Sequence, residues 1–138
     1  VNSRKSFFKK FGTSIFGVFI LNALASFFFW YESFFWFDMF MHFLGGVVVT
    51  FFAVFAFYKM YSRWRADGRI WKVVITNSLV LVVIAVLWEI MEFSVQHAFN
   101  IYGVLATPAD SVSDLILGLT GSLVALFYYF MKTKYERN

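Results

Sequence analysis

Residues 37–58 read FDMFMHFLGGVVVTFFAVFAFY and contain no lysine or arginine. A hydrocarbon core about 30 Å thick requires roughly 20 helical residues, so this stretch is long enough to cross a bilayer. Three further apolar stretches of similar length run over residues 11–30, 72–96 and 111–131. Transmembrane β-strands would be about half as long and would alternate strictly, which none of these stretches does. The sequence therefore predicts an all-α polytopic membrane protein, a bundle of four transmembrane helices.

The composition supports a membrane location and a single domain. Of 138 residues, 61% are hydrophobic and only 14% are charged, whereas soluble domains are nearer half apolar and a quarter charged. With one proline and no linker-like segment, residues 1–138 are expected to form one membrane domain. The chain has no cysteine, which excludes disulfides and thiolate metal ligands. The net charge of +4 does not indicate nucleic acid, because the basic residues flank the apolar stretches; membrane lipids are the expected partners.

The distribution of basic residues predicts the orientation in the membrane. All 12 lysines and arginines lie in the N-terminal arm, in residues 59–72 or in residues 132–137, and none lies in residues 31–36 or 97–109. By the positive-inside rule, both termini and the basic loop are predicted to be cytoplasmic. Four spans also place both termini on one side, so the charge pattern and the span count agree.

The first apolar stretch has an alternative explanation as a cleavable signal peptide. A basic arm precedes it, and Ala23, Leu24 and Ala25 resemble a cleavage site. The apolar residues continue through Phe29, which favours a true transmembrane span.

Six ionisable residues lie at nearly one predicted depth. They are Asp38, His42, Glu89, Glu92, Asp110 and Asp114. With a rise of 1.5 Å per residue, all six fall within about two helical turns of the outer boundary. They form three pairs whose members are three or four residues apart and share a helix face: Asp38 with His42, Glu89 with Glu92, and Asp110 with Asp114. These faces continue inward through Gly45, Gly118 and Gly121, and small residues allow close helix packing.

Carboxylates in this environment require neutralisation. An acid at the bilayer centre costs on the order of 2.5–3.5 kcal/mol, and less near the interface. No lysine or arginine is available on that side of the membrane, so we predict a divalent metal ion bound by these six residues. Carboxylates with an imidazole favour Mn, Fe or Zn, while Ca and Mg prefer oxygen ligands alone and remain alternatives.

Helix capping offers a structural alternative for the aspartates. Ser111 and Asp114 fit a capping box, and Asp38 lies where a helix dipole favours an acid. Glu89 and Glu92 are harder to explain in this way, because they come late in their predicted helix, where the dipole disfavours acids.

Three motifs invite a comparison with known families. DMFMHFLGG at residues 38–46, WEIMEF at 88–93 and Asp-x-x-x-Asp at 110–114 resemble the uncharacterised YjdF-type bacterial inner-membrane proteins. They resemble more distantly the VanZ-like family, associated with glycopeptide resistance. VanZ-like proteins typically show Asp-Lys-x-x-His and a later Asp-x-x-x-Asn, where this chain has Met39 and Gly118. The resemblance implies a bacterial inner membrane and does not imply a mechanism.

Three classes of function fit these observations. The first is metal-dependent chemistry on a lipid or envelope substrate at the outer face, although no catalytic residue is assigned. The second is a cation transport or channel component, but inward of Glu89 only Thr76, Asn77 and Ser78 offer polarity on that helix. The third is an accessory subunit with a structural metal, within an oligomer or a larger membrane complex.

Overall fold

The computed structural model describes residues 2–99 and 108–135, and these residues form helices joined by short turns. In chain order the helices are α1 (Asn2–Phe27), α2 (Trp30–Ser33), α3 (Phe35–Ala56), α4 (Tyr58–Ala66), α5 (Ile70–Phe99) and α6 (Pro108–Tyr135). The prediction of an all-α fold is confirmed for this part of the chain.

Three of the described helices are long and apolar enough to cross a membrane. The candidate spans are Trp36–Ala56 in α3, Ile70–Met91 in α5 and Ser111–Lys132 in α6. They correspond to the second, third and fourth apolar stretches of the sequence. His42 pairs with Asp114 and Thr50 with Ser122, so α3 and α6 run parallel and begin at the same end of the bundle. Asn77 meets Ser122 whereas Glu89 meets Ser111, so α5 runs antiparallel to them.

Helix α1 corresponds to the first predicted span. The apolar part among its described residues is Ile15–Phe27, which is roughly 20 Å long and shorter than a hydrocarbon core of about 30 Å. The fourth span and the cytoplasmic placement of both termini therefore remain predictions.

Helix α1 ends before the boundary predicted at residue 30. Phe29 adopts a left-handed conformation with φ of 57°, which costs an L-residue roughly 1–2 kcal/mol. The turn is held by the Tyr31 hydroxyl, which donates to Asn22 Oδ1, and by edge-to-face packing of Trp30 on Phe37, with ring centroids 5.5 Å apart. No glycine or proline marks this turn in the sequence, so the pattern of apolar residues could not reveal it.

The basic segment after α3, predicted as a loop, contains helix α4. Tyr61 of α4 is fully buried and packs in an apolar cluster with Val54, Val73, Leu126 and Tyr129. Burial, and secondarily the neighbouring Tyr129, raises the pKa of Tyr61 to about 12. This packing joins α4 to the end of the bundle opposite the start of α3.

Helices α3 and α6 approach until their backbones touch. A Cβ atom at Gly46 would overlap the backbone of Gly118, and one at Gly121 would overlap the carbonyl of Phe43. From the sequence we predicted Gly45 on the packed face of this helix, but a Cβ at Gly45 would meet nothing within 4 Å. Gly46 fills the role because it lies four residues beyond His42 on the same helix face.

A buried polar cluster joins the three spans near their middle. Asn77 Nδ2 of α5 donates to Thr50 Oγ1 of α3 at 3.0 Å and to Ser122 Oγ of α6 at 2.7 Å. The Thr50 hydroxyl donates to Ser122 Oγ at 2.8 Å. Thr50 and Ser122 each lie eight residues beyond His42 and Asp114, so the cluster lies roughly 12 Å further into the bundle.

We expect Gly46→Ala to lower the free energy of unfolding by about 1–3 kcal/mol or more, because the new methyl group forces α3 away from α6. The matched change Gly45→Ala should be neutral or stabilising by up to about 1 kcal/mol, since alanine favours a helix. Thermal or denaturant unfolding in detergent measures both variants. Equal losses of stability would contradict the proposed contact.

We expect Thr50→Val to lower the free energy of unfolding by about 1–2 kcal/mol, because it removes a hydroxyl shared by three helices. Thr120→Val is the control, since the exposed Thr120 hydroxyl donates to the Ile116 carbonyl of its own helix at 2.8 Å. Unfolding measurements should show a clearly smaller loss of stability for the control. A larger loss for the control would contradict a stabilising role of the hydrogen bonds between helices.

Candidate metal centre

Three ionisable side chains meet at the end of the bundle where α3 and α6 begin. Asp38 and His42 lie four residues apart on one face of α3, and Asp114 faces them from α6. One ligand atom of each lies within 4.8 Å of the others. The contact of Gly46 with Gly118 brings them together, because each glycine is one turn inward, from His42 on α3 and from Asp114 on α6.

The distance from the His42 nitrogen to each of the two carboxylates suits a metal ion. His42 Nε2 lies 3.4 Å from Asp38 Oδ1 and 3.4 Å from Asp114 Oδ2. These distances exceed the usual 2.7–3.2 Å of an N–H···O hydrogen bond. Metal–ligand bonds of about 2.0–2.2 Å would place neighbouring ligands of a tetrahedral ion about 3.3–3.6 Å apart. One imidazole nitrogen thus faces two carboxylate oxygens at the separation expected around a small cation.

The group is open on one side and closed on the other. The exposed fraction of the side chain falls from 46% for Asp38 to 19% for His42 and 12% for Asp114. A Cβ placed on Gly118 would lie 3.7 Å from the His42 carbonyl oxygen and 3.9 Å from the buried Leu81 side chain. Leu81 and the backbones of α3 and α6 therefore form an apolar floor, and a ligand would enter past Asp38.

Glu89 flanks this group from α5. Its Oε2 accepts a hydrogen bond from Ser111 Oγ at 2.9 Å, and Ser111 precedes Asp114 by three residues on the same face of α6. Among the described side chains, Glu89 is not within the 4.8 Å group of Asp38, His42 and Asp114. It lies beside the candidate centre as an adjacent carboxylate.

The position of Ser111 within α6 tests the helix-capping alternative. Helix α6 begins at Pro108, three residues before Ser111, so Ser111 is inside the helix and is not its N-cap. The capping box expected from Ser111 and Asp114 is therefore wrong at this position. Ser111 and Asp114 share a helix face, but this spacing alone did not indicate that Ser111 contacts Glu89 of α5.

Two of the six predicted ligands cannot be placed. Glu92 lies on α5 and Asp110 on α6, but their side chains are outside the part of the chain whose side chains the structure describes. His97, near the same end, is exposed, and its ring stacks on Phe93 with centroids 6.3 Å apart.

Comparison with known proteins identifies a family. The chain matches the family model described as "Predicted membrane protein (DUF2238)" over residues 3–134. No curated protein and no solved structure matches significantly. The matched range includes Asp38, His42, Glu89 and Asp114.

Proposed function

We propose that this chain, which belongs to the DUF2238 family of predicted membrane proteins, binds a divalent cation through Asp38, His42 and Asp114. The observation that carries the proposal is the placement of one imidazole nitrogen 3.4 Å from each of two carboxylate oxygens. The three residues lie in the first turns of two membrane-spanning segments. The ion would be held at one end of a multi-pass helical bundle.

Charge supports a divalent ion at this centre. Two carboxylates beside a neutral imidazole carry two negative charges, and partly buried charges are costly unless they are paired. A protonated histidine would cancel one of these charges, whereas a divalent cation cancels both. The mixed oxygen and nitrogen ligands favour Mn, Fe or Zn over Ca or Mg.

The arrangement best supports metal-dependent chemistry on a lipid or envelope substrate. Three protein ligands leave at least one coordination position for water or substrate, as in catalytic metal sites. The half-exposed Asp38 marks the side on which such a molecule would enter. The chemistry supplied by a bound ion would be activation of water or polarisation of a substrate oxygen. Glu89, which accepts a hydrogen bond from Ser111, would be the carboxylate that accepts a proton.

The proposed location follows from the charge pattern. The end that carries the candidate centre would face the extracytoplasmic side, and both termini would be cytoplasmic, because the basic residues flank the opposite end. A bacterial inner membrane, and membership of the YjdF-type or VanZ-like families, rest on the sequence motifs at 38–46, 88–93 and 110–114.

A structural metal is the second candidate. The ion would link α3 to α6 next to the backbone contact of Gly46 with Gly118, so it would stabilise this helix pair. Cation transport has less support, because Leu81 and the glycine contact separate the centre from the polar cluster around Asn77.

We expect the purified protein to retain about one divalent ion per chain, and His42→Ala or Asp114→Asn to lose most of it because two ligands cannot replace three. Elemental analysis after dialysis measures the content. Asp67→Asn is the control, since it removes an acid at the other end of the bundle, where Asp67 contacts Arg69 at 3.7 Å. Equal metal content in the wild type and both site variants would end this proposal.

We expect Glu89→Gln to retain the metal, because the glutamate lies outside the ligand group, but to lose activity on an envelope lipid. A thermal shift on adding the metal should remain, and at 100 times the dissociation constant it corresponds to about 2.7 kcal/mol. Loss of metal from Glu89→Gln would instead identify Glu89 as a ligand. Normal metal content with no turnover of any envelope lipid by the wild type would favour the structural role.

A further inference from the structure

The end of the bundle opposite the candidate centre carries a concentration of positive charge. Residues 58–72 contain five basic residues and one acid, Asp67. Asp67 lies 3.7 Å from Arg69, so within this segment its charge is already engaged. Lys59, Arg63, Arg65 and Lys72 remain without an acid of the segment to neutralise them. We refer to the exposed residues Lys59 and Arg63 as the basic surface.

Helix α4 presents two of these cations side by side. Lys59 and Arg63 are both exposed and lie four residues apart, so they share one helix face. The opposite face carries the fully buried Tyr61, which fixes the rotation of α4 and keeps the pair turned outward. Like charges at this spacing destabilise a helix, so the arrangement calls for an anionic partner.

Aromatic rings hold the other two cations in place. Arg65 Cζ lies 5.1 Å from the ring centroid of Tyr129. Lys72 Nζ lies 5.8 Å from the ring of Trp64 and 5.5 Å from that of Trp71. Such contacts orient a cation without removing its charge. Arg65 lies four residues beyond Tyr61, on the face of α4 opposite Lys59 and Arg63. Arg65 and Lys72 therefore add positive charge to this end of the bundle without joining that pair.

An open, mainly apolar cleft includes Lys59 in its lining. It has a volume of about 340 Å³ and is lined by residues 55–60 at the junction of α3 and α4. Phe55, Phe57 and Met60 are apolar lining residues, and Lys59 is the basic lining residue. Apolar surface beside positive charge matches a lipid, in which a phosphate adjoins glycerol and acyl chains, better than it matches a free anion.

We propose that the basic surface binds the phosphate headgroup of an anionic phospholipid, with the cleft at residues 55–60 receiving the glycerol and upper acyl region. Clusters of lysine and arginine beside membrane spans attract anionic lipids electrostatically. The rings of Trp64 and Trp71 both lie near Lys72 Nζ, at 5.8 and 5.5 Å, and tryptophan favours the headgroup region. This inference does not depend on the metal centre, which lies at the other end of the bundle.

The test is lipid selectivity, measured by native mass spectrometry. Wild-type protein is equilibrated with vesicles of equal parts phosphatidylglycerol and phosphatidylethanolamine, and the retained lipids are counted after extraction into detergent. We expect the wild-type protein to retain phosphatidylglycerol in clear excess over phosphatidylethanolamine. Lys59→Gln combined with Arg63→Gln should reduce that preference by about 25-fold, since each basic residue contributes roughly fivefold.

Lys132→Gln is the matched control. Lys132 is exposed and lies at the same end of the bundle on α6, but outside the basic surface, so its removal should leave most of the preference. If the double variant unfolds in vesicles that contain only phosphatidylethanolamine, the single variant Arg63→Gln replaces it. Equal loss in Lys132→Gln and Arg63→Gln would show a diffuse attraction and would overturn the proposed site.

Inorganic phosphate distinguishes a lipid from a free anion. Phosphatidylglycerol should raise the melting temperature of the wild type at a concentration where inorganic phosphate at the same ionic strength does not. An equal rise with phosphate would overturn the lipid proposal in favour of a free-anion site, as would wild-type protein that retains both lipids equally. Metal content, measured on the same samples, should be unchanged in these variants.

Discussion

The backbone contact between α3 and α6 is the interaction on which the rest of the bundle depends. In lipid there is little hydrophobic driving force for helices to associate, so close van der Waals contact between small residues stabilises the helix pair instead. Where Gly46 meets Gly118, and Gly121 meets Phe43, no side chain separates the two backbones. This contact sets the register of the two helices. That register places His42 beside Asp114 and, eight residues further inward, Thr50 beside Ser122.

The polar groups of the bundle consequently form separate layers. The metal-centre residues lie at one end, followed by an apolar floor that includes Leu81, then by the hydrogen-bonded cluster around Asn77, and finally by the aromatic packing of Tyr61. Among the described residues, Leu81 and the contact of Gly46 with Gly118 lie between the metal-centre residues and the cluster around Asn77. A site that meets its ligand from one side of the membrane agrees with this layering better than a conduit does.

The two ends of the molecule differ in charge, and this difference separates the two proposals. One end gathers carboxylates and an imidazole, which suit a cation, whereas the other presents Lys59, Arg63, Arg65 and Lys72, which suit an anion. The two ends are joined only through the helices between them. Removing a charge at one end should therefore leave the ligand of the other end in place, so each proposal stands or fails on its own measurement.

The linear pattern of apolar residues was sufficient to predict three of the candidate spans, since hydrophobic length and helical rise are local properties of the chain. The same periodicity paired Asp38 with His42, because residues four apart share a helix face. It could not show that Asp114 joins them while Glu89 pairs with Ser111. That outcome depends on how each helix is rotated and shifted against its neighbours. Rotation and shift follow from backbone contact at Gly46, which local periodicity does not encode.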